Sequence, residues 1–389
     1  MKHNLVKNKL AYIFALSACV YFGQGIESLP GTAFFFYLKE TLGYDESKIM
    51  LLGSLVALAW LIKPVIGYLI DTSHWTKRTW VLTSLGTSAL IAVFLGLSPF
   101  VTIQLIIFAM MLGNWNAAVR DVAVDGIMCI EGKKHEITGR IQSIQWIAIT
   151  IASVLVGVGG GFIAEKFNYQ IGYLLLIPFY LVIGFCAFGY KETIAEHKNT
   201  QSFITTLKHL FTDRNLLLVA LFIFLYKFAP SFGTPLTFIM RDEFQWSKLW
   251  IGTLGTISAS VSIVGALLYY HLSKHLNLKK ALVFSVYLGA VTTLCYLYFT
   301  PVTAIIYEVI FSLIGMFIQL MLLDFMARNT KAGMEATSFA LLCSVSNFTT
   351  TCDGVVGGFL FPHIGLTGLI LLSAGASFLC LPLIKRLKI

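Results

Sequence analysis

Nine ionisable residues lie inside stretches otherwise apolar enough for a lipid bilayer: Glu27, Lys63, Arg120, Asp121, Asp125, Lys227, Glu308, Asp324 and Asp353. An ionised side chain at mid-membrane costs between about 2.5 and more than 10 kcal/mol, so it is kept only where it meets water, a partner or a substrate. Asp121 and Asp125 stand at i, i+4 and therefore share one face of any helix that carries them. Two carboxylates on one wall repel each other, and a carboxyl so placed is suited to taking up and releasing a proton. Arg120 projects roughly 100° away from Asp121 on the same helix, so its partner belongs to another helix, with Glu27 a candidate by depth. Arg120 and Lys227 together would make a cavity attractive to a carboxylate or phosphate, which a guanidinium can grip at two points. The competing explanation is a set of buried ion pairs that lock helices together, with Glu308 or Asp324 as the partner of Lys227. No HExxH, GxSxG or P-loop pattern occurs. The eight histidines offer no convincing metal-ligand spacing, so neither metal nor cofactor is expected.

The elements that must position these residues are transmembrane helices. The chain has 389 residues, of which 57% are apolar and 12% charged. That is too little charge for a soluble enzyme of this length, and too much apolarity for disorder. Twelve stretches reach or approach the roughly 20 residues a crossing requires. They lie near 11–38, 48–70, 79–97, 100–129, 140–165 and 169–190, then 215–240, 247–271, 281–299, 301–326, 336–362 and 364–384. A polar segment, 191–214, separates the two sets of six. Seven of the nine intramembrane charges fall in stretches one, four, seven and ten; Lys63 and Asp353 fall in two and eleven. Such threefold spacing predicts two bundles in which every third helix faces a shared polar interior.

Two further patterns support a duplicated six-helix unit. Gly157-Val158-Gly159-Gly160-Gly161-Phe162-Ile163 resembles Gly354-Val355-Val356-Gly357-Gly358-Phe359-Leu360, at an offset of 197 residues. The same offset carries Asp125 to a position beside Asp324. Parallel repeats of this kind build one class of secondary transporter. If the N-terminus is cytoplasmic, the inner segments hold twenty of the 28 Lys and Arg and the outer loops five. This bias places both termini inside. The net charge of +9 is then read as topology and contact with anionic lipid, not as nucleic-acid binding. The seven cysteines all lie in apolar stretches without a CxxC pair and read as buried hydrophobes. The first apolar stretch is too long for a cleavable signal sequence. Pro230 and Pro235 flank Ser231-Phe232-Gly233-Thr234 and should loosen the seventh helix.

The twelve-stretch plan with a central loop resembles the major facilitator superfamily. Gly67-Tyr-Leu-Ile-Asp71 followed by Lys77-Arg78 is similar to that superfamily's signature between helices two and three, with its tail degraded. Four segments are more specific: Trp60-Leu-Ile-Lys63-Pro64; Asp121-Val-Ala-Val-Asp125-Gly126; Phe222-Ile-Phe-Leu-Tyr226 with Pro230-Ser231; and Gly333-Met-Glu335-Ala-Thr337 running on to Asn347. Together they resemble the folate-biopterin transporter family over nearly the whole chain. The resemblance puts Lys63, Asp71, Asp121, Asp125, Glu335 and Asn347 at family-motif positions. It implies transport of folates, pterins or related organic anions, coupled to protons. Arg120 and Lys227 depart from the family pattern, where a small and a neutral residue are expected, and would retune the substrate.

The expectation is therefore an all-α integral membrane protein with twelve transmembrane helices in two six-helix bundles. Residues 1–190 form the first bundle, 191–214 a cytoplasmic linker and 215–389 the second. The activity expected is not enzymatic but secondary transport of a small organic anion by alternating access, in a bacterial inner membrane. The chain is read as a monomer whose partners are protons, lipid and the substrate. Arg120, Lys227, Glu27 and Asn347 are assigned to substrate, Asp121, Asp125 and Asp324 to proton coupling, and Lys63, Asp71, Lys77 and Arg78 to gating. Alternatives are another anionic cargo (a siderophore, peptide, muropeptide or nucleotide-like anion) and a membrane-embedded enzyme acting on lipid-linked substrate.

Overall fold

The computed structural model describes residues 2–44, 49, 52–53, 55–98, 102–190, 205, 208 and 212–387. Most of the expected linker 191–214 and part of the second stretch lie outside the described residues. The described residues are helical throughout, without a strand. Eight of their helices are long and apolar enough to cross a membrane; the last, Glu335–Ile384, contains both the eleventh and twelfth stretches. They part at Gly365, whose φ of 65° breaks the helix where an L side chain would be strained. Span four, Ile103–His135, is 33 residues long but carries three charges at its middle. Span seven is divided into Arg214–Lys227 and Gly233–Phe238. The protein is a multi-pass membrane protein.

By its internal contacts the chain divides into two units. The first comprises Met1–Gln201 with Lys331–Ala340, and the second Ser202–Thr330 with Leu341–Ile389. The sequence places 331–340 in the second half; its packing belongs to the first. In the first unit, span one (Lys2–Ile26) lies along span five (Thr138–Lys166), and span three (Lys77–Leu97) along span four. In the second, span eight (Lys248–Leu272) lies along span ten (Pro301–Arg328). Small residues permit these approaches. A Cβ on Gly25 would fall 2.6 Å from the Ala152 Cβ, and one on Gly265 would collide with the Leu313 carbonyl.

Helix starts follow from local chemistry. Thr76 accepts the Thr79 N–H at 3.1 Å, and Asn277 the Lys280 N–H at 3.0 Å. Asp213 accepts from Asn215 and Leu216, and Thr300 and Thr303 form a reciprocal cap. Each satisfies backbone donors that the first helical turn leaves open.

Both halves contain an interrupted helix at the corresponding place. Span one breaks after Ile26 and resumes at Gly31–Phe36. Span seven breaks between Lys227 and Gly233, as its prolines predict. The freed backbone of span seven is recovered by its neighbours: Ala229 N–H donates to Asp353 Oδ1 at 3.1 Å and Ser231 N–H to the Asp353 carbonyl at 2.9 Å. The Ser373 hydroxyl donates to the Pro230 carbonyl at 2.5 Å. The repeated glycine motif meets these breaks. Gly160 of span five lies against Leu29 and Thr32, beside the break in span one. Gly357, its partner at the 197-residue offset, lies against the Ser231 backbone in the break of span seven.

Candidate functional site

Span four carries the chemistry of the first unit. Asp121 and Asp125 share a face, as their spacing predicts, and both are buried. Lys63, at the start of the helix Lys63–Thr72, places its Nζ 2.6 Å from Asp121 Oδ2. The sequence assigned Lys63 to the gate; the structure brings it to the span-four acids. The Tyr21 hydroxyl of span one donates to Asp125 Oδ1 at 2.7 Å, and the Gln145 amide of span five donates to the same oxygen at 3.3 Å. Lys63 also lies 4.7 Å from the centre of the Trp60 ring, whose indole N–H donates to Asn114 Oδ1. Two acids and one lysine thus meet at the junction of spans one, two, four and five.

About 100° around the same helix, Arg120 pairs with Glu27, the partner that depth alone suggested. Its other donors reach Ser88 Oγ at 2.8 Å and the Ser84 carbonyl at 3.3 Å, both on span three. The guanidinium lies 5.6 Å from the centre of the Tyr180 ring. The Arg120 side chain is 3% exposed and that of Glu27 17%. The arginine therefore stands behind the carboxylate, and it is Glu27 that reaches open space. That space is a cavity of about 490 Å³, lined entirely by residues of the first unit. Glu27, Gln24, Ser88 and Asn114 give it polar walls, and Trp60, Tyr173 and Tyr180 aromatic ones. The break in span one opens beside it, because Ser28, Pro30 and Gly31 line the same cavity.

A second cluster in the first unit holds the predicted gate. Asp71 Oδ2 accepts both the backbone N–H and the hydroxyl of Thr337, at 2.8 and 2.7 Å. Its other oxygen lies 3.5 Å from Lys77 Nζ. Asp71 thus binds the first turn of the helix that begins at Glu335, where unpaired N–H groups attract an anion. Glu335 itself lies 3.6 Å from Lys133. The approach is close because Gly67 meets the Ala336 carbonyl: a Cβ there would be 2.8 Å away. Arg78 lies over the Phe188 ring, 5.6 Å from its centre.

In the second unit the assigned residues are dispersed. Asp324 is fully buried and receives two bonds from Arg328, at 3.0 and 2.8 Å, and one from the Tyr269 hydroxyl at 2.8 Å. Lys227 ends the first half of span seven within electrostatic reach of Asp353. That leaves Asp353, rather than Glu308 or Asp324, as its neighbouring acid. Asn347 is exposed.

Sequence reasoning missed Tyr21, Gln24, Gln145 and Tyr180. A signal existed for the first two. Ser17, Tyr21, Gln24 and Ser28 follow one another at i, i+4, i+7 and i+11, a polar stripe along span one. Gln145 and Tyr180 carry no such pattern.

Comparison with known proteins gives the family and the fold. The model of the BT1 family matches residues 24–370. A folate-biopterin transporter of Synechocystis sp. is 24% identical over 370 residues, spanning 90% of this chain and 74% of that protein. Folate transporter 1 of Plasmodium falciparum is 21% identical over 371 residues, 88% of this chain and 72% of that one. Among solved structures, the Major Facilitator Superfamily transporter FucP aligns with a TM-score of 0.75 at 12% identity, over 96% of this chain and 98% of its own. The fold is that of the superfamily.

Proposed function

The chain belongs to the BT1 family and is a membrane transporter, not an enzyme; on that premise we propose that it carries a small organic anion of the folate or pterin type by alternating access, coupled to protons. The cargo is inferred from the relatives named for folate and biopterin. One observation carries the coupling: Asp121 and Asp125 are buried on one face of span four with Lys63 at hand. Two carboxylates against one ammonium leave the cluster one negative charge in excess. Burying that charge is costly, and a single bound proton removes it. Loading and release of that proton, as the cluster meets one side of the membrane and then the other, is the coupling step.

In this reading Arg120 acts through Glu27 instead of gripping the anion itself, since its donors are taken up by Glu27, Ser88 and Ser84. Lys227 remains the cation assigned to the anionic part of the cargo, with Asn347 alongside. Asp324, held by Arg328 and Tyr269, assists in the second unit. Asp71, Lys77 and Arg78 close the cytoplasmic side around Thr337. The protein works as a monomer in the bacterial inner membrane, with lipid as its other partner and both termini in the cytoplasm.

Asp125→Asn tests the coupling. In proteoliposomes with an imposed pH gradient, the variant should insert and fold as the parent does, yet fail to accumulate labelled folate against its gradient. Exchange without a gradient should survive. Accumulation at the parent rate would remove Asp125 from the coupling.

A further inference from the structure

The cavity of the first unit has a composition that says what part of a ligand it would hold. Its volume, about 490 Å³, is that of a small-molecule site. Three aromatic side chains, Trp60, Tyr173 and Tyr180, give it flat walls. The Gln24 amide oxygen is buried against it without a hydrogen-bond partner. A buried polar atom left unpaired costs about 1–3 kcal/mol, which a ligand donor would recover. Glu27 is the other acceptor facing the cavity, and its charge is offset by Arg120 behind it. The two acceptors lie three residues apart, Gln24 in the last turn of span one and Glu27 at the start of its break. A neutralised acceptor pair favours uncharged N–H donors over a cation, and aromatic walls favour a flat ring.

We propose that this cavity, enclosed within the first unit, is the subsite for a planar heterocycle presenting N–H donors to Gln24 and Glu27 between Trp60, Tyr173 and Tyr180. The assignment rests on the cargo reading above and deepens it: the ring of the substrate is bound by one bundle alone. Span one then couples the two events of transport along a single helix. Its Tyr21 touches the proton-binding Asp125, and Gln24 and Glu27, one and two turns on, meet the ring.

Gly113 supplies the test. It lines the cavity, and a Cβ added there meets nothing within 4 Å. Gly113→Met should therefore fill the space without disturbing the fold, and a methionine suits a helix better than glycine does. Binding of biopterin, the ring probe, and of p-aminobenzoylglutamate, a probe without the ring, is measured on the purified full-length protein in nanodiscs. Gly113→Met should weaken biopterin at least tenfold with an undiminished melting temperature. Gln24→Leu should weaken it about fivefold, and both variants should hold p-aminobenzoylglutamate within twofold of the parent. If the parent binds biopterin and both variants bind it equally well, the subsite is wrong. A parent that binds p-aminobenzoylglutamate but not biopterin also overturns the subsite, while leaving the cargo reading intact. A parent that binds neither probe overturns the cargo reading.

Discussion

Glu27 and Arg120 show how far single residues were legible. Their presence in apolar stretches pointed to each other, and the structure pairs them. It did not tell which of the two meets open space, because that depends on the lengths of the two side chains and on Ser84 and Ser88 of a third helix. The pair makes a quantitative expectation. Removing one member of a buried pair leaves the other charge uncompensated, at a cost of about 3–5 kcal/mol, whereas removing both is tolerated far better. Glu27→Gln should thus lower the melting temperature in detergent sharply. The double variant Glu27→Gln/Arg120→Leu should recover most of the loss. A double variant as unstable as the single one would mean that Arg120 is held mainly by its serine partners. Lys63 teaches the opposite lesson: it was grouped with Asp71 in the gate and its partner Asp121 was not foreseen, since sequence says nothing of what packs against the far side of a helix.

At the level of elements, the glycine motif was read as a sign of duplication, and only some of its positions meet a neighbour's backbone. Gly160 and Gly357 abut the broken segments of spans one and seven, whereas Gly157, Gly161, Gly354 and Gly358 would admit a Cβ without contact. Flanking sequence could not separate these, because the distinction is which face of a helix meets a neighbour's backbone. Gly357→Ala should push span eleven from the Ser231 backbone, destabilise the protein and impair transport, while Gly358→Ala should leave both unchanged. Fluorescence-detected size-exclusion after heating would distinguish the two; equal tolerance would show that the break in span seven yields easily. The break in span one escaped the sequence reading. Span seven announced itself through two prolines, but span one has a single Pro30, the last residue of its interruption.

For the molecule as a whole, hydropathy was enough to read the class, since the bilayer imposes length directly, and the loop charge bias proposes an orientation that tagging tests. Tags inserted in the loop 191–214 and at the C-terminus should both be protected from protease in intact spheroplasts, and a tag between spans one and two, near Asp45, should be cleaved. Cleavage of both the loop and the C-terminal tag, with the tag near Asp45 protected, would invert the assignment. Less legible was the membership of residues 331–340. These residues pack with the first unit, where Thr337 meets Asp71 and Glu335 meets Lys133. That arrangement sets an order of events during synthesis. Residue 340 follows residue 201 by 139 positions, and at about 5–20 residues per second the ribosome needs roughly 7–28 s to cover them. For that interval the nascent first unit is without the two Thr337 donors that Asp71 accepts in the folded protein, so its completion is paced by translation of the half that comes after it.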